Sequence, residues 1–136
     1  MALRSPWPGA VFHESLNVPV AVRGNVLEVE DGRLLVSAYG FEDENTAYLF
    51  ESSDRGETWT YRSVIAEGYN ETYLYETVDG HLLAWMRGWG DRMDLLHLTR
   101  SEDGGATWSE PSPQFKGYPA AVAALGSGDI VLAYGY

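Results

Sequence analysis

An all-β fold built from repeated four-stranded antiparallel units is what this sequence predicts, on three observations. The first is a repeated turn. Residues 52–59 read SSDRGETW and 101–108 read SEDGGATW, with Asp54 and Asp103, Gly56 and Gly105, Thr58 and Thr107, and Trp59 and Trp108 each 49 residues apart. The second is a turn signal recurring at an offset of 48 between runs of Leu, Val and aromatic residues: Asp31-Gly32, Asp79-Gly80 and Ser127-Gly128. Such runs around Asp-Gly or Ser-Gly are hairpin sequence. The third is that no segment sustains the 3.6-residue apolar period of a helix.

These landmarks place strands near 22–30, 33–40, 46–52 and 58–65 in one unit, and near 71–78, 81–88, 93–100 and 107–112 in the next. Four strands per ~45-residue repeat is the blade pattern of a β-propeller. Residues 22–67 and 68–117 are then two blades, and 118–136 the first half of a third. Residues 1–21, with Val11, Phe12 and the apolar run that starts at Val18, are expected to form the edge of a preceding blade. Closing a propeller takes about 4–8 blades. The chain is therefore expected to be a partial propeller, part of a larger protein or an assembly in which copies self-associate through uncovered blade faces.

The chain has 136 residues, 45% hydrophobic and 13% aromatic, which suits a single globular domain. Against 9 Lys and Arg stand 20 Asp and Glu, a net charge of -11. That field repels nucleic acid and anionic membranes, so neither is an expected partner, and an anionic ligand would have to be held by a few local arginines. Without cysteine there is no disulfide framework and no thiolate nucleophile. Residues 1–9 lack the apolar core of a signal peptide, and no run approaches the ~18 apolar residues of a membrane span. The chain is expected to be soluble, with its compartment left open.

In the repeated Ser-x-Asp-x-Gly-x-Thr-Trp turn the Asp can accept hydrogen bonds from its own turn, the Gly supplies a positive φ, and the Trp buries a large ring beside the hairpin. Ser52, Asp54, Gly56, Thr58 and Trp59, with Ser101, Asp103, Gly105, Thr107 and Trp108, thus read as fold determinants. A carboxylate flanked by hydroxyls could instead serve a metal or catalysis. A repeated copy whose Asp is spent on a tight turn favours the structural reading.

Two such turns at blade spacing, with DG hairpins between them, resemble the sialidase (neuraminidase) superfamily, whose six-bladed propellers carry these Asp boxes, or BNR repeats. The resemblance covers nearly the whole chain. Other glycosidases, sorting receptors and assembly factors also carry Asp boxes, so a narrower feature matters more. Residues 70–87, NETYLYETVDGHLLAWMR, resemble the sialidase segment in which Asn-Glu opens a strand, a DG turn follows and an Arg ends the return strand. The resemblance implies that Glu71 is catalytic, polarising a tyrosine nucleophile, and that Arg87 is one of three arginines gripping a substrate carboxylate.

If residues 78–80 form a three-residue loop with Gly80 left-handed, Thr77 pairs with His81 and Glu71 falls directly opposite Arg87, on one face. A two-residue loop would put them on different faces. The blade path sends the DG turns and Asp boxes to one rim, and Glu71, Arg87 and the loops at 41–45 and 88–92 to the other. Repeat-equivalent positions add Arg23 and Tyr39, and Tyr136 closes the list of expected substrate-binding residues, with Trp89 available to stack on a sugar. The competing reading is a structural salt bridge between Glu71 and Arg87. Against it stands Arg87 at the end of Leu82 to Met86, apolar on both faces and so expected to be buried between blades. For Arg23, Tyr39 and Trp89, which no family motif covers, ordinary structural roles are the favoured reading.

His13, His81 and His97 show no ligand spacing, and no metal or cofactor is expected. The sequon Asn70-Glu71-Thr72 is discounted, because a glycan would block the cleft. The resemblance implies a retaining exo-sialidase-like glycosidase acting on terminal sialic acid or a related acidic sugar in a sialoglycoconjugate. A neutral tyrosine assisted by a carboxylate base avoids the repulsion that a carboxylate nucleophile would meet from such a substrate, and arginines can hold its carboxylate bidentately. The chain carries no Arg-Ile-Pro segment, and a third arginine is expected only beyond Tyr136, so the isolated chain is expected to be inactive. The alternative is a non-catalytic Asp-box module that binds glycans or proteins.

Overall fold

The computed structural model describes residues 2–4, 10–13, 18–40, 45–118, 121–127 and 129–135, with side chains from residue 19 onward. Tyr136 and the tip of the expected 41–45 loop lie outside the described residues. Twelve strands are described: β1 (Ala2–Arg4), β2 (Ala10–His13), β3 (Val18–Glu28), β4 (Leu34–Gly40), β5 (Ala47–Ser52), β6 (Thr60–Ala66), β7 (Tyr69–Glu76), β8 (Leu82–Gly88), β9 (Leu95–Ser101), β10 (Ser112–Lys116), β11 (Ala121–Ala124) and β12 (Ile130–Ala133). A 3-10 turn, Gly90–Arg92, joins β8 to β9. Among the described residues no helix is long and apolar enough to cross a membrane.

Every strand pairs antiparallel with its chain neighbour within three sheets: β1 to β6, β7 to β10, and β11 with β12. The expected four-stranded units are β3–β6 and β7–β10. The sequence reading assigns residues 1–21 to a preceding blade, whereas residues 10–13 pair with 18–21 and extend the first sheet at β3. The last strand of the second unit was expected at 107–112 and runs instead over 112–116. Ser109 N–H still donates to Arg100 O (2.8 Å), but Pro111 has no N–H to donate, and the ladder resumes only beyond it.

The three hairpins close identically. Val29 N–H donates to Arg33 O (3.0 Å), Thr77 N–H to His81 O (2.9 Å) and Leu125 N–H to Asp129 O (2.8 Å). Gly80 has φ 78° and returns its N–H to Thr77 O, the left-handed residue of a three-residue loop. The loop length of each hairpin sets its register.

β4 is buried on both faces. Leu35 joins Ala47, Leu49 and Ile65 against Tyr69, Leu74, Leu82, Ala84 and Met86 of the second sheet. Val36 and Ala38 point the other way, with Val20, Tyr48 and Phe50. Each fully buried Leu here contributes about 1.5–3 kcal/mol of burial. β8 alternates, with Leu82, Ala84 and Met86 toward the first sheet and the half-buried Leu83, Trp85 and Arg87 on its other face.

The two sheets are also stitched by polar bonds. The Asn25 side chain donates to Leu74 O and accepts from Leu74 N–H, both at 2.9 Å. Ser63 Oγ donates to Gly105 O (2.6 Å) and accepts from the Trp108 indole (3.2 Å), and Arg62 Nε donates to Gly104 O (2.7 Å). Replacing Asn25 by Ala strands both main-chain groups of Leu74, and the expected loss is about 2 kcal/mol or more, measured by urea unfolding.

The two Ser-x-Asp-x-Gly-x-Thr-Trp turns share one bonding scheme. Ser52 Oγ donates to Asp54 (2.7 Å) and accepts from Gly56 N–H (2.8 Å), while Thr58 donates to Asp54 through both its N–H and its hydroxyl. Ser101, Asp103, Gly105 and Thr107 repeat it. The Thr58 hydroxyl, then its N–H, then the Ser52 hydroxyl lower the Asp54 carboxyl to about 2. The equivalent donors, led by the Thr107 hydroxyl, hold Asp103 well below the usual carboxylate range. Because the folded values are depressed, this stabilisation is complete above the unfolded value near ~3.9 and is lost as pH falls toward 2. The thermal midpoint is expected to drop between pH 4 and pH 2, and to drop less in Asp103→Asn.

Candidate functional site

β3 and β7 are repeat-equivalent, and each breaks register in its first half, the two breaks overlapping at Arg23 and Glu71. The pairing of β3 with β4 shifts between Val22 and Val26, and that of β7 with β8 between Tyr69 and Thr72. Such bulges re-aim side chains. In β7 the Asn70 side-chain oxygen accepts the Glu71 N–H at 2.7 Å, and Thr72 Oγ1 donates to Asn70 O at 2.8 Å. In β3 the bulge holds Arg23, Gly24 and Asn25. Gly24 has φ 146°, and a Cβ there would lie 2.1 Å from Thr72 O, so only glycine lets the two strands approach this closely.

The bulges bring Arg23, Glu71 and Arg87 together. Glu71 Oε2 accepts from Arg87 Nη1 at 2.9 Å and Oε1 faces Arg23 Nε at 3.2 Å. The Glu71 side chain is only 12% exposed, against 25% for Arg87 and 64% for Arg23. Glu71 and Arg87 were expected to stand directly opposed. Residues 72 to 76 keep that register, but at Asn70-Glu71 two residues of β7 face one of β8, so the ion pair forms across a bulge. A buried carboxylate needs such partners to offset its lost hydration. Two guanidinium groups around one carboxylate leave one positive charge in excess, within a chain of net charge -11.

Arg87 also stacks on the ring of Tyr118, its guanidinium carbon 4.6 Å from the ring centre. Its Nε is buried without a hydrogen-bond partner among the described residues. Tyr118 was not among the expected residues, and no sequence signal marks it, because the contact joins the end of β8 to the connection between β10 and β11. Tyr39 lies near the end of β4, opposite Ala21 and Ala47, and is half-buried. Trp89 is 46% exposed, and its main-chain N–H donates to Gly68 O at 2.9 Å. On the inner face of the same rim, Tyr69 packs edge-on against His97. Burial pushes the His97 imidazole down and the Tyr69 phenol up. Among the described residues no three His, Asp or Glu side chains converge on a metal position.

The turn-bearing rim is distinct, since Glu71 opens β7 and the Thr77 to His81 hairpin follows its other end. There Glu51 bridges Arg33 and Arg62 at 2.7 and 2.9 Å, and Arg33 also pairs with Asp31. These pairs lie within the first unit, and the same Arg62 reaches the second unit's turn through its Nε bond to Gly104 O.

Among solved structures, a protein of unknown function from Dyadobacter fermentans DSM 18053 is similar with a TM-score of 0.79 and 29% identity, over 97% of this chain and 39% of that one. A Hadza microbial sialidase gives a TM-score of 0.68 at 20% identity, over 94% of this chain and 26% of that one. An α-L-arabinanase from Penicillium chrysogenum, solved with arabinobiose, gives 0.64 at 19% identity, over 80% and 39%. The chain thus spans between 26% and 39% of the length of these structures, and the last two likenesses speak to the fold: a partial β-propeller of four-stranded antiparallel blades. No curated protein sequence matches the chain. The profile of the BNR repeat-like domain matches residues 7–136, and the chain belongs to that family.

Proposed function

We propose that this chain is part of an exo-sialidase-like, retaining glycoside hydrolase acting on terminal sialic acid or a related acidic sugar, with Glu71 catalytic and Arg87 and Arg23 binding the substrate's carboxylate. In this reading residues 22–67 and 68–117 are blades with Asp boxes at 52–59 and 101–108, and 118–136 begins a third. The observation that carries it is the buried Glu71 carboxylate held between two guanidinium groups, at the strand ends away from the Ser-Asp turns. A base in this position can draw the proton from a neutral tyrosine nucleophile, while the excess positive charge receives the anion. Trp89 and Tyr39 complete the cleft as sugar-contacting groups, together with Tyr136.

The test is release of the fluorophore from an aryl sialoside by the full-length protein, with an aryl α-arabinoside beside it. Cleavage of the sialoside alone is expected. Cleavage of the arabinoside alone, or of neither, rejects the proposal. A second reading, a non-catalytic glycan- or protein-binding module, draws on the fact that each Glu71 oxygen already faces an arginine, as in a purely structural ion pair.

A further inference from the structure

One rim feature lies outside the ion-paired trio. A hollow of about 200 Å³ is lined by Asp94, Lys116, Gly117 and Tyr118. Asp94 immediately precedes β9 and Lys116 ends β10, where it pairs with Leu95. Arg87 pairs with the next residue of β9, Leu96. The hollow therefore lies on the same rim as Arg87, one strand further out, and the Tyr118 ring joins the two.

The connection that carries Tyr118 is pinned from both sides. Gly117 N–H donates to Asp94 O (3.2 Å) and Tyr118 N–H to Gly135 O (2.9 Å). A Cβ on Gly117 would lie 2.6 Å from the Tyr134 ring, so the backbone there is pressed against the third sheet. Tyr118 is nonetheless 38% exposed. Among the described residues neither Asp94 nor Lys116 is held in an ion pair.

We infer that this hollow is a subsite for a neutral pyranose, the sugar joined to the acidic one at Arg87. The inference rests on the glycosidase reading for its place in the glycan but not for its chemistry. An aromatic wall offers a face to the C–H side of a sugar ring. One carboxylate accepts from ring hydroxyls and one ammonium donates to them. The acid and the base balance, so the hollow adds no charge to favour an anion, and an acidic sugar would meet Asp94 directly. An apolar ligand would desolvate both charges without return.

Saturation-transfer NMR of the full-length protein with lactose is expected to show transfer to the sugar ring protons. The transfer should be lost in Lys116→Ala and Tyr118→Ala and kept in Tyr118→Phe, where the ring remains. Absent transfer in the native protein, or transfer unchanged in Lys116→Ala, overturns the subsite. In hydrolysis, the ratio of kcat/KM for sialyllactose to that for an aryl sialoside, which lacks the second sugar, is expected to fall about tenfold in Lys116→Ala, the worth of one charge-assisted hydrogen bond. An unchanged ratio also overturns it. The readouts separate the two ideas. Lactose binding that depends on Lys116, in a protein that cleaves neither sialoside, would uphold the subsite and reject the glycosidase; cleavage of both with no effect of Lys116→Ala would do the reverse.

Discussion

Glu71→Gln in the full-length protein is expected to lower kcat for sialoside hydrolysis by about 10²–10⁴-fold, the usual worth of a positioned general base. The substitution preserves size and leaves one acceptor for the guanidinium groups, so the cleft keeps its shape. What disappears is the proton acceptor and the negative charge between Arg23 and Arg87, 3.2 and 2.9 Å away. The measurement that matters is the split between kcat and KM, read beside the thermal midpoint. A catalytic base predicts a collapse of kcat with a modest change in KM. If kcat is retained and only the midpoint falls, Glu71 is a structural ion-pair partner and the assignment is wrong.

Gly24→Ala is expected to cost stability on the order of 3 kcal/mol or more, from overpacking and backbone strain together. The added Cβ would lie 2.1 Å from Thr72 O and 3.0 Å from Ser37 Oγ, at a φ of 146° that side chains rarely adopt. The obstacle is main chain, so no rotamer change relieves it. β3 would have to lift from β7, weakening the Ser37 Oγ bond to Thr72 O (2.8 Å) and drawing Arg23 away from Glu71. Thermal unfolding should show a midpoint lower by on the order of 10 °C, together with loss of any activity that needs the Arg23–Glu71 contact. A midpoint within a degree or two of the native protein would mean that the sheets do not approach as closely as described.

Several elements of this fold could be read directly from residues. The hairpins at Asp31-Gly32 and Asp79-Gly80 were legible because their closure needs only a left-handed glycine and flanking apolar strands. The Ser-x-Asp-x-Gly-x-Thr-Trp turns were legible for the same reason, since donors and acceptors lie within a few residues of one another. Even the pairing of Glu71 with Arg87 followed from counting outward from Gly80. The count could not see the bulge at Asn70-Glu71, which depends on a side chain bonding its own backbone. A glycine within β3, at position 24, was the one sequence sign of its counterpart. The start of β10 was misjudged because the Ser-Glu-Pro stretch after Trp108 continues the ladder only at Ser109 before Pro111 interrupts it.

By itself the sequence determined the repeat, the all-β class, the positions of the hairpins and the two buttressed turns, because each is settled by interactions within a few residues or by strict alternation along a strand. Only the tertiary structure decided that β1 and β2 extend the first sheet, that Arg23 reaches Glu71, and that Tyr118 lies over Arg87. The last two contacts join residues 48 and 31 positions apart in the chain. These two arise from how the sheets stack on a shared apolar core and how closely Gly24 lets them approach, which no local pattern encodes.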